Sequence, residues 1–162
     1  MILTQEIAQK KLRRMAMEVA ERNHDKKSLV LIGIKENGIV IADIIASMLK
    51  DIFPGDIQLL QLSMDKRNPG EIKLSEAFNF NGANVLLIDD VANSGRTMLY
   101  ALKPLLDQHP AMLQTLALVE RTHKLFPIAV DYVGHSVATE SKENIVVRVE
   151  AGQVLGAELG NS

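Results

Sequence analysis

From Thr4 to about Asn23, apolar side chains at Ala8, Leu12, Met15, Ala16, Val19 and Ala20 recur at the spacing of one helix face, with Thr4 placed as an N-cap. The opposite face carries Lys10, Lys11, Arg13 and Arg14 and reads first as a solvated surface, and second as an anion or RNA contact. Ser28 to Ile34, SLVLIGI, is a continuous apolar run rich in β-branched residues, the form of a strand buried on both faces. A second helix follows, with Ile41, Ile45, Met48, Leu49 and Ile52 on its core side, and Pro54-Gly55 halts it before a strand from Ile57 to Leu62.

Residues 63–82 then break the pattern. They are polar, punctuated and without a sustained period, and a loop of that length inside a compact domain is usually functional or mobile. Order returns with a buried strand at Asn84 to Asp89 and a helix from about Ser94 to Gln108, in which Pro104 predicts a kink or an early break. Strands are expected at Leu113 to Arg121, Asp131 to Val137 and Asn144 to Val149, with residues 151–162, rich in Gly and Ala, as a loosely held tail. Strands alternating with helices predict an α/β fold with a mainly parallel sheet.

Composition narrows this picture without changing it. A chain of 162 residues fits one domain, and 47% hydrophobic with 4% aromatic residues implies a core packed by aliphatic side chains. A net charge of −2 argues against a general nucleic-acid binder. The lack of cysteine excludes disulfides, thiolate metal sites and a cysteine nucleophile, and none of the four histidines has metal-ligand spacing. The amino terminus is too polar for a signal peptide, and no apolar run approaches the roughly 20 residues that cross a bilayer. A soluble cytoplasmic protein with no membrane partner is expected.

The segment LLIDDVANSGRTM, residues 86–98, carries the chemistry. It places two adjacent carboxylates, Asp89 and Asp90, at the carboxyl end of a buried strand, where open α/β sheets bind ligands. The loop that follows enters a helix whose N–H groups and macrodipole favour a phosphate. Gly95 admits a close approach, and Ser94 and Thr97 add hydroxyls. Acceptors for a diol beside donors for a phosphate suit a ribose 5-phosphate. Neither a G-x-x-x-x-G-K-[ST] loop nor a G-x-G-x-x-G fingerprint is present. The plainer reading, acids capping a helix above a tight turn, accounts for one carboxylate more easily than two.

VLLIDDVANSGRT resembles the phosphoribosyl pyrophosphate signature of type I phosphoribosyltransferases, and LVLIGIKENGIVIA resembles their pyrophosphate loop. RRMAMEVAERN, GIKENGIVIA, DDVANSGRT and LVERTHKLFPIAVDYVGHSVATESKENIVVRV, in that order, are most similar to the pyrimidine-operon regulator and uracil phosphoribosyltransferase family. The resemblance implies a single phosphoribosyltransferase domain over residues 1–162, a mainly parallel sheet flanked by helices, a closing loop at 63–82 and a small carboxy-terminal hood from strands in 131–150, with Tyr132 to Thr139 over the base. It implies that Lys35, Glu36, Asn37 and Gly38 contact pyrophosphate, often through a strained or cis peptide. By the same resemblance Asp89 and Asp90 hold the diol, and Ala92, Asn93, Ser94, Gly95, Arg96 and Thr97 take the 5′-phosphate.

Lys35, Asp89, Asp90 and Arg67 are the implied catalytic set, Arg67 as the charge that closes over pyrophosphate. Tyr132 would lie against the base and the Val133 backbone would bond its edge, although Tyr132 by itself reads equally as a core aromatic. Mg²⁺ is implied as cofactor, carried by the donor, with at most water-mediated contact to Asp89 and Asp90. Uracil is the favoured acceptor. Purine relatives usually carry an aspartate where this chain has Asn93 and a lysine where it has Glu120, and an asparagine cannot act as a general base. The alternatives are a purine-base phosphoribosyltransferase or a pyrimidine-responsive RNA-binding regulator. RNA is disfavoured because Met17 stands where the regulator's basic face usually has histidine and the chain is slightly acidic. Homo-oligomers are expected from the resemblance.

Overall fold

The computed structural model describes residues 1–65, 67, 70–138 and 143–160. After a two-residue strand β1 (Leu3–Thr4), helix α1 (Gln5–Arg22) starts where the Thr4 hydroxyl accepts the Ile7 N–H at 3.2 Å, and it buries Ala8, Leu12, Met15, Ala16 and Val19. Glu6 in its first turn and Arg22 in its last match the helix dipole. Then come β2 (Ser28–Ile34), α2 (Asn37–Ile52), β3 (Asp56–Met64), β4 (Ile72–Leu74) and β5 (Asn84–Ala92). The chain continues through α3 (Arg96–Ala101), α4 (Lys103–Leu106), β6 (Met112–Arg121), β7 (Tyr132–Val137), β8 (Asn144–Glu150) and β9 (Gln153–Gly160).

Among the described residues the main sheet has six strands in the order β4-β3-β2-β5-β6-β7, parallel at every step except the antiparallel β3–β4 pair. The α/β fold with a mainly parallel sheet is therefore as the pattern predicts. The chain winds outward from β2 to β3 in one direction and from β5 to β6 and β7 in the other. That makes the β2–β5 boundary the switch point, and the carboxyl ends of those two strands flank a crevice. One core, with Leu31, Ile45, Leu86 and Leu118, lies under α1 and α2; the other, with Ile32, Phe80, Leu87 and Met98, lies on the α3 side.

Several expectations need correction. Strand β5 runs through Asp89 and Asp90 to Ala92, because Val91 and Ala92 continue the ladder with Val119 and Glu120. The helix expected from Ser94 to Gln108 is shorter, Arg96 to Leu106, and breaks as Pro104 predicts, into two helices parted at Leu102 with Pro104 in the first turn of the second, where a missing N–H costs nothing. Residues 63–82 are not wholly irregular, since Leu62, Ser63 and Met64 pair with Leu74, Lys73 and Ile72.

The hood differs from the expected one. Strand β7 belongs to the main sheet, paired with β6, so the strands of 131–150 do not form one unit. The small sheet is β1-β9-β8, and the segment taken for a loose tail supplies its central strand. Ala151 and Gly152, both at positive φ (50° and 76°), make the two-residue turn that folds β9 back on β8. Residues 66, 68 and 69 of the loop, 139–142 of the hood and 161–162 of the tail lie outside the described residues, and Thr139 with them.

Helix α1 lies along the edge of the main sheet. The Arg14 guanidinium donates to the carbonyls of Val133 (3.1 Å) and Gly134 (2.9 Å) in β7 and pairs with Glu18, while Arg22 donates to Asp131 O. Carbonyls that an edge strand leaves unpaired are satisfied in this way. Arg14 thus serves the fold, whereas Lys10 and Arg13 stay exposed and Lys11 is half-buried.

Candidate active site

The two loops singled out by the sequence meet at the switch point. Strand β2 ends at Ile34 and turns directly into Lys35, Glu36 and Asn37, with a cis peptide bond between Lys35 and Glu36. Gly38, in the first turn of α2, lies so close to β5 that a Cβ there would sit 2.8 Å from Ile88 O and 3.0 Å from Asp89 Oδ1. Glycine is what lets the start of α2 press against the acidic strand end.

Each carboxylate is held by the backbone that follows it. Asp89 Oδ1 accepts the Asp90 N–H at 2.8 Å, and Asp90 Oδ1 accepts the Val91 N–H at 2.9 Å. Asp90 Oδ2 takes a further bond from the Asn37 amide at 3.2 Å. Asp89 is 1% exposed, while Asp90 is half-buried and more open to the cleft.

Beyond them, Gly95 at φ 86° forms the left-handed N-cap of α3, a conformation that glycine adopts freely. Ser94 is anchored from the β6–β7 connection, its carbonyl accepting the N–H groups of Leu125 and Phe126 at 3.0 Å each. The Ser94 hydroxyl accepts the Arg96 N–H at 3.2 Å.

Two adjoining clefts result. One, of about 250 Å³, is walled by Asp89 to Gly95, Thr97 and Met98 and closed on its far side by Ile145, Val146 and Val147 of β8. The other, of about 480 Å³, is walled by Lys35, Glu36, Ser63 and Met64. Asn37 and Asp90 line both and so form the partition between them.

Four expected site residues stand elsewhere. Tyr132 is fully buried, its hydroxyl donating to Gln114 Oε1 at 2.7 Å and accepting from Asn23 Nδ2 at 3.1 Å, with the Arg22 guanidinium 4.6 Å from its ring centroid. It faces α1 rather than the cleft, because the strand that carries it is the edge of the main sheet. Burial raises its hydroxyl pKa above the ordinary value, outweighing the nearby Arg22. The Val133 carbonyl is taken by Arg14. The base-binding reading of these two residues does not fit their placement.

Arg96 also turns away from the cleft, its guanidinium 5.7 Å from the centroid of the Tyr100 ring. The 91–97 loop therefore meets the first cleft with its backbone and with Ser94 and Thr97 rather than with a guanidinium. Arg67 is exposed beyond β3, its N–H bonded to Asp65 Oδ1, and does not line either cleft. Glu120, at the tip of β6, accepts from Lys124 Nζ at 2.7 Å and from the Ser136 hydroxyl at 3.1 Å, with both ionic side chains mostly buried.

Sequence reasoning missed the wall formed by Ile145, Val146 and Val147. Its only signal was an apolar alternation in NIVVRVE, readable as a strand but silent about which sheet it joins.

A recess with Ser94, Gly95 and Thr97, two carboxylates, and a second recess with Lys35 thus meet at the switch point. In comparison with known proteins, a model described as the phosphoribosyl transferase domain matches residues 1–151, and the chain belongs to the phosphoribosyl transferase family. It is 35% identical over 159 residues to the bifunctional protein PyrR of Pelotomaculum thermopropionicum, covering 92% of this chain and 88% of that protein. It is 37% identical over 150 residues to the bifunctional protein PyrR of a Geobacter species, covering 86% and 85%.

Among solved structures, the hypoxanthine phosphoribosyltransferase of Trypanosoma cruzi superposes with a TM-score of 0.80 at 16% identity over 96% of this chain and 94% of that one. A hypoxanthine-guanine phosphoribosyltransferase from Bacillus anthracis gives 0.70 at 22% identity over 89% and 83%. These two likenesses show the shared type I fold.

Proposed function

We propose that this phosphoribosyltransferase transfers ribose 5-phosphate from phosphoribosyl pyrophosphate to uracil and releases pyrophosphate. The observation that carries the reading is the partition. Asp90 and Asn37 stand between a recess lined by the 91–97 loop and another lined by Lys35 and Glu36, and the donor has a phosphate at one end and a pyrophosphate at the other. Its 5′-phosphate takes the first recess, among the backbone groups of Ala92, Asn93, Ser94 and Gly95 and the hydroxyl of Thr97. Its pyrophosphate takes the second. The diol then falls to Asp90, with Asp89 behind it.

As the C1–O bond lengthens, positive charge grows on the sugar and negative charge on pyrophosphate. The base nitrogen bonds to C1 and gives up its proton to water or to the departing pyrophosphate. The chain's contribution is positioning and electrostatics. The carboxylates favour the cationic ring, and Lys35 favours the leaving group. Asp89 and Asp90, each with one oxygen already bonded to backbone, would hold a donor-carried magnesium ion through water, and that ion would supply positive charge for the leaving group. Arg67 and the 63–82 segment close over pyrophosphate and exclude water.

The acceptor base lies against Ile145, Val146 and Val147. Uracil is favoured because Asn93 cannot take a ring-nitrogen proton and Glu120 is committed to Lys124 and Ser136. The PyrR relatives, at 35–37% identity, support this choice over a purine. A pyrophosphate-release assay with uracil, hypoxanthine, guanine, xanthine, adenine and orotate in parallel tests it. Turnover with uracil is expected, and turnover of a purine with none of uracil would reverse the assignment.

An RNA-regulatory reading has weaker support: Lys10 and Arg13 are exposed on α1, but Lys11 is half-buried and Arg14 is engaged by β7. It requires salt-sensitive binding to a pyrimidine-operon leader, strengthened by a uridine nucleotide. Among the described residues no helix is long and apolar enough to cross a membrane. A cytoplasmic enzyme that self-associates completes the proposal, with sedimentation equilibrium as the check on assembly.

A further inference from the structure

Among the described residues, strand β8 is an edge strand of the small sheet, with β9 on one side only. In an antiparallel pair, alternate residues turn their N–H and C=O groups away from the partner, so residues two apart present polar backbone to the same free edge. At Ile145 and Val147 that edge faces the switch point, and two asparagines meet it.

The Asn93 side chain engages Ile145 on both sides. Its Oδ1 accepts the Ile145 N–H at 3.1 Å, and its Nδ2 donates to the Ile145 carbonyl at 3.2 Å. Two residues on, the Val147 carbonyl accepts from Asn37 Nδ2 at 3.0 Å, the same nitrogen that reaches Asp90. The loop after β5 and the start of α2, on either side of the crevice, therefore hold adjacent positions of one strand.

We infer that Asn93 is a positioning residue: its amide pairs with the Ile145 backbone as a strand neighbour would, and locks the acceptor-side wall β8 to the sugar-phosphate loop. This rests on the proposed reading of the two clefts. Asn93 need not touch either substrate. Only an amide carries one donor and one acceptor in the arrangement that matches a strand edge, and an aspartate would oppose its second oxygen to the Ile145 carbonyl. The loop that grips the donor thereby sets the place of the wall that meets the acceptor.

The test pairs hydrogen exchange with kinetics on the full-length protein. In Asn93→Ala the Ile145 amide is expected to exchange about tenfold faster, the Ala157 amide in β9 within about twofold of the wild type. In Asn93→Asp, which keeps the acceptor and loses the donor, the rate should fall between the two. The KM for the base should rise about tenfold in Asn93→Ala while the KM for the donor stays within about twofold.

Unchanged Ile145 exchange in both variants would overturn the inference even in an active enzyme. So would equal rises in both KM values, which a merely structural loss gives. If the protein turned over no base, the proposed activity would fail, and exchange at Ile145 would still decide whether the lock exists.

Discussion

Asn37 Nδ2 stands 3.2 Å from Asp90 Oδ2, joining the first turn of the helix after one strand to the acid at the end of its neighbour. Those strands, β2 and β5, are the pair from which the sheet winds in opposite directions. The bond thus spans the crevice that the topology itself creates.

Replacing both Asp89 and Asp90 by asparagine keeps their shape and the oxygens that accept the Asp90 and Val91 N–H groups, but removes the charge. Steady-state kinetics should show a fall in kcat/KM of roughly 10²-fold or more, typical of lost electrostatic stabilisation. The circular dichroism spectrum should not change. Retained turnover would contradict the role given to the pair.

Gly38→Ala tests the close approach. The added methyl would meet Ile88 O and Asp89 Oδ1 at 2.8 and 3.0 Å, so α2 or the acidic strand end must shift. A loss of about 1–3 kcal/mol in denaturant unfolding is expected, together with weaker donor binding.

Tyr132→Phe separates core from site. Losing the hydroxyl that links Asn23 and Gln114 should cost about 1–2 kcal/mol at neutral pH and leave KM for the base unchanged. The Tyr132 pKa is raised in the folded state above 10.0, mainly by burial. The neutral phenol therefore stabilises the fold fully below pH 10.0, and that contribution is lost as pH rises past this value towards the higher folded one. In urea unfolding from pH 9 upward, the wild type should lose stability faster than the variant.

Lys124→Met leaves Glu120, whose side chain is 17% exposed, without its cation. Breaking a mostly buried pair from one side is expected to lower unfolding stability by roughly 2 kcal/mol. The double variant with Glu120→Gln should recover part of that loss in thermal melts.

The sequence was most legible where local signals and burial agree. SLVLIGI and NVLLID can only be strands buried on both faces, and the Thr4 cap with the spacing of Leu12, Met15 and Val19 leaves little choice but α1. The loop after β5 was also readable, because a strand end followed by acids and small residues is a chemical signature as well as a local shape, whereas the loop after β2 was legible only through its resemblance to a family's pyrophosphate loop.

What was not readable depends on partners distant in sequence. Gln153–Gly160 has glycines at 156 and 160 that suggest a tail, and only its pairing with β8 and with β1, where Leu3 meets Ala157 from 154 residues away along the chain, makes it a strand. Tyr132 could be core or site until the sheet order placed β7 at the edge beneath α1. Arg14 looked like one of four surface cations because nothing local reveals that it meets the β7 carbonyls.

The proposed function requires one donor molecule to bridge the partition formed by Asp90 and Asn37. Isothermal titration of the magnesium complex of phosphoribosyl pyrophosphate into the wild-type protein, and into the Asp89→Asn, Asp90→Asn double variant, tests it most directly. Saturable one-site binding to the wild type, and at least about tenfold weaker binding to the variant, is the predicted result. No binding heat with the wild type, or equal affinity in both proteins, would contradict it.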